Sequence, residues 1–154
     1  MQEEILGSIK EVSGHTYDII YDLLFTGNRI VAVLIQSPAD ALYVPSWFNL
    51  YVSSWGAKRE EQRKLEEAAA TRRRKLRNMS PDELIAKDPN NFEIRYENVV
   101  SVELKRMFLS SRYCLRFKVN MGGIRVRDFT LQKEQVSGAR ELLLKILPQK
   151  YSEK

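Results

Sequence analysis

The chain has 154 residues, a length that suits one domain or one domain with a large insertion. A single Cys and a single His exclude an internal disulfide framework and a Cys-rich zinc site, and they nearly exclude a His-based metal site. The formal net charge of +5 is concentrated in residues 58–77, which hold nine basic and four acidic side chains. Such a segment attracts polyanions such as nucleic acid, anionic lipid or an acidic partner.

The N-terminal part predicts a short strand followed by a β-hairpin. Residues 9–12 favour a strand, although Ile5, Ile9 and Val12 also fit one face of a helix. Residues 17–26 place Tyr17, Ile19, Tyr21, Leu23 and Phe25 on one strand face at period two. Gly27-Asn28 supplies the turn, and residues 29–36 form the second strand.

Residues 38–91 interrupt the strand pattern and predict a helical insertion. Residues 57–77 are rich in Ala, Glu, Lys and Arg, which favour a helix. Ser80, Pro81 and Glu83 have the spacing of a capping box, which predicts a short helix that ends by Lys87. The sequence Asp-Pro-Asn-Asn after Lys87 predicts a turn.

The C-terminal part predicts further strands and a closing helix. Alternation of apolar and polar side chains predicts strands within residues 92–105, 113–119 and 124–131. From Gln132 the spacing becomes helical, and Pro148 ends the helix. The pattern predicts an α+β protein in which a small antiparallel β-barrel or sandwich is capped by a C-terminal helix.

Three segments carry a resemblance to a known family. YDLLFTGNRIVAV resembles the strand, T-x-x-R turn and strand of prokaryotic pleckstrin-homology-like (PH-like) domains, which are related to GRAM domains. FEIRYENVVSVELKR and RDFTLQKEQVSGARELLLKIL resemble the following strand pair and the last strand with its capping helix. The resemblance implies about seven strands closed by a helix, with residues 1–37 and 92–154 as the domain and 38–91 as the insertion. It implies lipid-binding, peptide-binding or structural roles without choosing among them.

The sequence contains no recognisable catalytic constellation, and we expect a non-enzymatic protein without a cofactor. His15 lies in a predicted loop without a partner nucleophile, and Cys114 lacks a neighbouring His or helix N-terminus. Paired carboxylates can act in acid/base catalysis, but the pairs Asp18/Asp22 and Glu93/Glu97 are interpreted as solvated side chains on strand faces.

An aromatic helical face is the most informative feature of the insertion. Its members recur at helical spacing: Trp47, Phe48, Tyr51 and Trp55. Such a face packs on the sheet or in a dimer, or it lies in a membrane interface, where Trp and Tyr suit the headgroup region. Polar residues and Pro45 interrupt the apolar run, which argues against a membrane span.

A basic run follows the aromatic face. The candidate polyanion-binding side chains are Lys58, Arg59, Arg72, Arg73, Arg74, Lys75 and Arg77. They would contact phosphates of nucleic acid or lipid headgroups, or they form a solvated helix face. The aromatic residues do not interleave with them as stacking platforms for bases would require.

The sequence favours a binding or scaffolding module. We expect it to self-associate or to dock a protein partner through the insertion. Peripheral binding to anionic membrane is the close alternative, and nucleic-acid binding through residues 58–77 is the further one. Because the N-terminus lacks a basic region followed by an apolar run, we expect a cytoplasmic location, with peripheral attachment to the inner membrane face as an alternative.

Overall fold

The computed structural model describes residues 3–14, 19–37 and 54–154, except for the side chains of residues 54–58 and 60. It contains eight strands: β1 (Ile5–Ser13), β2 (Ile20–Thr26), β3 (Arg29–Gln36), β4 (Phe92–Arg95), β5 (Val99–Arg106), β6 (Tyr113–Asn120), β7 (Ile124–Leu131) and β8 (Tyr151–Glu153). Three α-helices accompany them: α1 (Ser54–Leu76), α2 (Pro81–Lys87) and α3 (Lys133–Ile146). The α+β class, the strand at the N-terminus and the C-terminal helix are therefore confirmed.

The strands form one mixed sheet in the order β4-β3-β2-β1-β7-β6-β5-β8. All neighbours are antiparallel except β5 and β8, which run parallel. The strand order ends at β4 and β8, so the described sheet is not a closed barrel, contrary to that part of the prediction. The eighth strand was not predicted, because its three residues follow a helix-ending proline and gain regular structure only by pairing with β5.

The two halves of the sheet share one hydrophobic core. β1 joins β7 through a single paired position, Ser13 and Thr130, and this narrow connection divides the sheet into the halves β4-β3-β2-β1 and β7-β6-β5-β8. A 3-10 turn at Tyr96–Asn98 carries the chain from β4, at one end of the order, to β5 near the other. Side chains of both halves and of α3 meet in this core, including Phe25, Phe117 and Leu143, all fully buried. Each side chain of this size contributes roughly 1.5–3 kcal/mol on burial.

Aromatic rings connect the two halves. Tyr21 and Phe92 come from the first half, and Phe117 and Phe129 come from the second. The Phe92 and Phe129 rings stack at 6.3 Å between centroids, and Tyr21 contacts both edge-on. Tyr21 lies on the predicted inward face of β2 and packs against the core, as the period-two spacing indicated.

A second, smaller core lies outside the first half of the sheet. The outward-facing side chains of β3, Val31, Val33 and Ile35, pack against Ala69 of α1 and Leu84 of α2. The two helices therefore cover the outer face of β3. The predicted capping box is confirmed, because the Ser80 hydroxyl accepts the Glu83 N–H and the Glu83 carboxylate accepts the Ser80 N–H. Among the residues described, no helix has the length and apolar character needed to cross a membrane.

Candidate functional site

Helix α1 is fixed to the sheet by an ion pair that uses the centre of the basic run. Arg73 donates from Nε and Nη2 to both carboxylate oxygens of Asp22 on β2, at 3.1 and 3.0 Å. Its Nη1 also donates to Glu11 of β1, at 3.2 Å. Asp22 is only 6% exposed, so loss of Arg73 would leave a buried carboxylate without its ionic partner.

The interpretation of Asp22 as a solvated strand residue is wrong. Period two correctly places it on the outer face of β2, but α1 covers that face. The Arg partner lies 51 residues away in the chain, beyond the reach of any local pattern. Asp22 also accepts the backbone N–H of Glu11 at 3.0 Å, which holds a β-bulge in β1 between Ile9 and Val12. Glu93, interpreted in the same way, is likewise ion-paired, at 2.6 Å to Arg29.

The other predicted polyanion-binding residues contact the protein itself, are exposed, or do both. Arg72 donates to the backbone carbonyl of Ile35 at 3.0 Å, and Arg74 donates to the Thr71 hydroxyl at 3.3 Å. Exposed side chains of the set are Arg59, Arg74, Lys75 and Arg77. The Lys58 side chain lies outside the described residues. Part of the basic run therefore contacts the protein itself, and its binding to polyanions stays a prediction.

The aromatic face lies outside the structural description. Trp47, Phe48 and Tyr51 fall among residues that are not described, and Trp55 is described only as part of the backbone of α1. Its packing, self-association or membrane contact therefore stays a prediction. His15 is also outside the described residues.

A buried arginine at the start of β3 forms a second ion-pair cluster. Arg29 binds Glu3 and Glu93 at 2.6 Å each and Asp82 at 2.7 Å. The Arg29 guanidinium lowers the pKa of Glu3 and of Glu93 below the ordinary carboxylate value. Thr26 closes the turn, since its hydroxyl donates to the Arg29 carbonyl and accepts the Arg29 N–H. The T-x-x-R segment therefore has a structural role that joins the segment before β1, strand β4 and helix α2.

The β5–β6 hairpin exposes two large apolar side chains at its tip. Phe108 is 90% exposed and Leu109 is 91% exposed. Backbone and side-chain hydrogen bonds hold the loop, including Met107 N–H to the Arg112 carbonyl at 2.9 Å and Arg106 Nε to the Ser110 carbonyl at 3.2 Å. We call residues 105–112 the apolar tip. Its ionisable side chains are Lys105, Arg106 and Arg112, and none is acidic.

The apolar tip also carries backbone strain. Leu109 has a φ of +53°, in the left-handed region that favours Gly, Asn or Asp. A leucine there costs roughly 1–2 kcal/mol relative to ordinary backbone geometry. The exposure of Phe108 and Leu109 and the backbone strain at Leu109 do not stabilise the folded state, so these two residues suit a role other than stability. The sequence analysis missed this site. A usable signal was the presence of Phe108 and Leu109 between the basic residues Arg106 and Arg112, in the connection between two predicted strands.

The Cys114 thiol is not activated. Burial raises its pKa, and the nearby Asp128 carboxylate raises it further, which disfavours the nucleophilic thiolate. Asp128 itself is bound by Arg116, which donates to it at 2.8 and 2.9 Å. Within residues 3–14, 19–37 and 54–154, no group of three His, Cys, Asp or Glu side chains is placed to hold a metal ion.

No family model, curated protein or solved structure matches this chain. The resemblance to PH-like domains therefore stays a prediction that depends on the three sequence segments and on the fold described above.

Proposed function

We propose that this chain is a non-enzymatic module that attaches reversibly to anionic membrane surfaces through the apolar tip. The observation that carries the proposal is the nearly complete exposure of Phe108 and Leu109 next to three basic side chains. Apolar side chains enter the boundary between headgroups and acyl chains, while neighbouring Lys and Arg meet anionic headgroups. The tip presents both at one end of the hairpin.

The size of the tip favours a membrane over a protein partner. A typical protein interface buries about 800 Å² on each partner, and two side chains at a hairpin turn offer much less than that. Full burial of the two side chains in lipid would contribute roughly 3–6 kcal/mol. Each basic side chain near an anionic surface adds about 1 kcal/mol. These magnitudes suit weak, reversible attachment of the kind that a single acyl chain provides.

We infer that the fold is a PH-like sandwich with a helical insertion. Support comes from the two sheet halves around one core, the helix α3 against that core, and the T-x-x-R turn at Thr26 and Arg29. In this interpretation α1 and α2 are an addition to the outer face of the first half. The apolar tip lies in the second half, away from that addition.

Co-sedimentation with liposomes tests the function. The wild type should bind vesicles that contain phosphatidylserine, and binding should weaken as salt rises. Phe108→Ser/Leu109→Ser should reduce the partition coefficient by at least about tenfold, because it removes the inserted apolar surface. Lys105→Gln/Arg106→Gln should bind less and should flatten the salt dependence.

Two controls separate the tip from other surfaces. Met121→Ser/Ile124→Ser removes two apolar side chains, 57% and 60% exposed, from the β6–β7 turn and should bind vesicles as the wild type does. Trp47→Ala/Trp55→Ala should also retain binding. If Trp47→Ala/Trp55→Ala lost vesicle binding and Phe108→Ser/Leu109→Ser retained it, the aromatic face and not the apolar tip would be the membrane-binding surface. Dissociation of a dimer by the tryptophan variant, with no vesicle binding by any form, would support self-association through the insertion instead.

A further inference from the structure

A groove lies between helix α1 and the outer face of the first sheet half, far in sequence from the apolar tip. Its volume is about 300 Å³, roughly twice that of an apolar cavity able to hold a benzene molecule. Leu24 and Val33 of the sheet contribute apolar walls, and Leu76 and Met79 contribute them from the helical side. The second core thus stops short of filling the space between helix and sheet.

Four ionisable side chains line this groove, and their balance is positive. Arg73 and Asp22 neutralise each other through the ion pair described above, and Arg73 also binds the Glu11 carboxylate. Lys10 on β1 and Arg77 after α1 add two positive charges, and both are exposed. Counted with the Glu11 carboxylate on Arg73, the site keeps a net positive charge, which is complementary to an amphipathic anion rather than to a neutral apolar molecule.

The position of Lys10 depends on an irregularity in β1. The bulge between Ile9 and Val12 puts Glu11 at a φ of +60°, an uncommon conformation for a non-glycine residue. The Glu11 N–H is held by Asp22, and the Lys10 carbonyl accepts a hydrogen bond from Gln135 of α3. Bulges redirect side chains and occur often beside binding sites. Here the bulged residue pair places Lys10 on the groove and Glu11 on Arg73.

We propose that the groove between α1 and the sheet binds a small amphipathic carboxylate, with its alkyl tail on the apolar walls and its carboxylate between Lys10 and Arg77. The proposal is independent of membrane attachment, because none of the groove residues belongs to the apolar tip. The ligand class is that of a medium-chain fatty acid.

Titration of the isotopically labelled full chain tests the proposal by NMR. Decanoate is the probe, and decan-1-ol supplies the same tail without the charge. Decanoate should shift the amide signals of Lys10, Leu24 and Met79, and decan-1-ol should bind about five- to tenfold more weakly. Lys10→Gln/Arg77→Gln should remove that difference, while Lys118→Gln/Arg125→Gln, which removes two exposed cations elsewhere, should preserve it.

Two further variants separate binding in the groove from binding at the apolar tip. Leu24→Trp adds volume to the groove wall without a charge change and should abolish binding of both probes, with an unchanged far-UV circular dichroism spectrum. Phe108→Ser/Leu109→Ser should bind decanoate as the wild type does, even if it no longer binds vesicles. Equal affinities for the acid and the alcohol in the wild type, or shifts confined to the apolar tip, would overturn the proposal.

Discussion

The basic run of helix α1 and the apolar tip differ in how they use their side chains. The basic run is conspicuous in the sequence, yet Arg72 and Arg73 bind the protein's own sheet. The apolar tip is inconspicuous, yet it exposes Phe108 and Leu109 almost completely. A cluster of charged residues in a sequence therefore says little about binding until its partners within the fold are known. Exposed apolar side chains do not stabilise the folded state, and they indicate a surface that contacts another molecule.

The covered side of the sheet should show the largest effects on stability, beginning with Arg29. Arg29→Ala leaves the carboxylates of Glu3, Asp82 and Glu93 together without their shared cation. Because these carboxylates are 24%, 87% and 32% exposed, water compensates part of the lost attraction, and we expect a decrease of about 2–4 kcal/mol in the free energy of unfolding, measured by urea denaturation. Arg116→Ala breaks an exposed pair with Asp128 and should cost under about 1 kcal/mol. Equal costs for the two variants would show that burial does not distinguish them.

Helix docking should show the next largest effect. Arg73→Ala leaves Asp22 buried without its ionic partner, although the Glu11 N–H still donates to it. Because Arg73 is one-third exposed, we expect a cost of about 2–3 kcal/mol, below that of a fully buried pair. Arg74→Ala, on the exposed side of the same helix, should change stability by less than about 0.5 kcal/mol. A similar small effect at Arg73 would mean that apolar packing alone holds α1.

The sequence predicted local structure well and long-range contacts poorly. The β2–β3 hairpin, the Ser80 capping box and helix α3 follow from turn, capping and periodicity rules, and the structure confirms them. The roles of Asp22 and Arg73 depend on elements 51 residues apart. Asn91, expected in a turn, follows its turn but is buried, where its side chain binds the Leu34 N–H and the Leu84 carbonyl. Such partners are set by tertiary packing, which no local pattern contains.

Acidification should lower the stability contributed by the ion pairs of Arg29, whereas the apolar tip should make no such pH-dependent contribution. Arg29 holds the folded-state pKa values of Glu3 and Glu93 below the ordinary value of 4.5. Their contribution to stability is therefore complete above about pH 4.5 and is lost as the pH falls through the lowered values. The urea midpoint should drop over that acidic range. Glu3→Gln/Glu93→Gln should show a smaller drop, whereas Lys105→Gln/Arg106→Gln at the tip should follow the wild type.

The smallest expected effect is a gain in stability at the apolar tip. Leu109→Gly relieves a left-handed backbone conformation and removes an exposed apolar side chain, so the free energy of unfolding should rise by about 0.5–1 kcal/mol. Leu109→Ala retains the strain and should show no gain, which makes it the matched control. The glycine variant should bind anionic vesicles more weakly while it folds more stably. A gain in stability together with a loss of vesicle binding distinguishes a functional residue from a structural one. If Leu109 served packing, the protein would lose stability when this side chain is removed. A glycine variant that is both less stable and fully able to bind vesicles would assign Leu109 to the fold and remove the main argument for the tip.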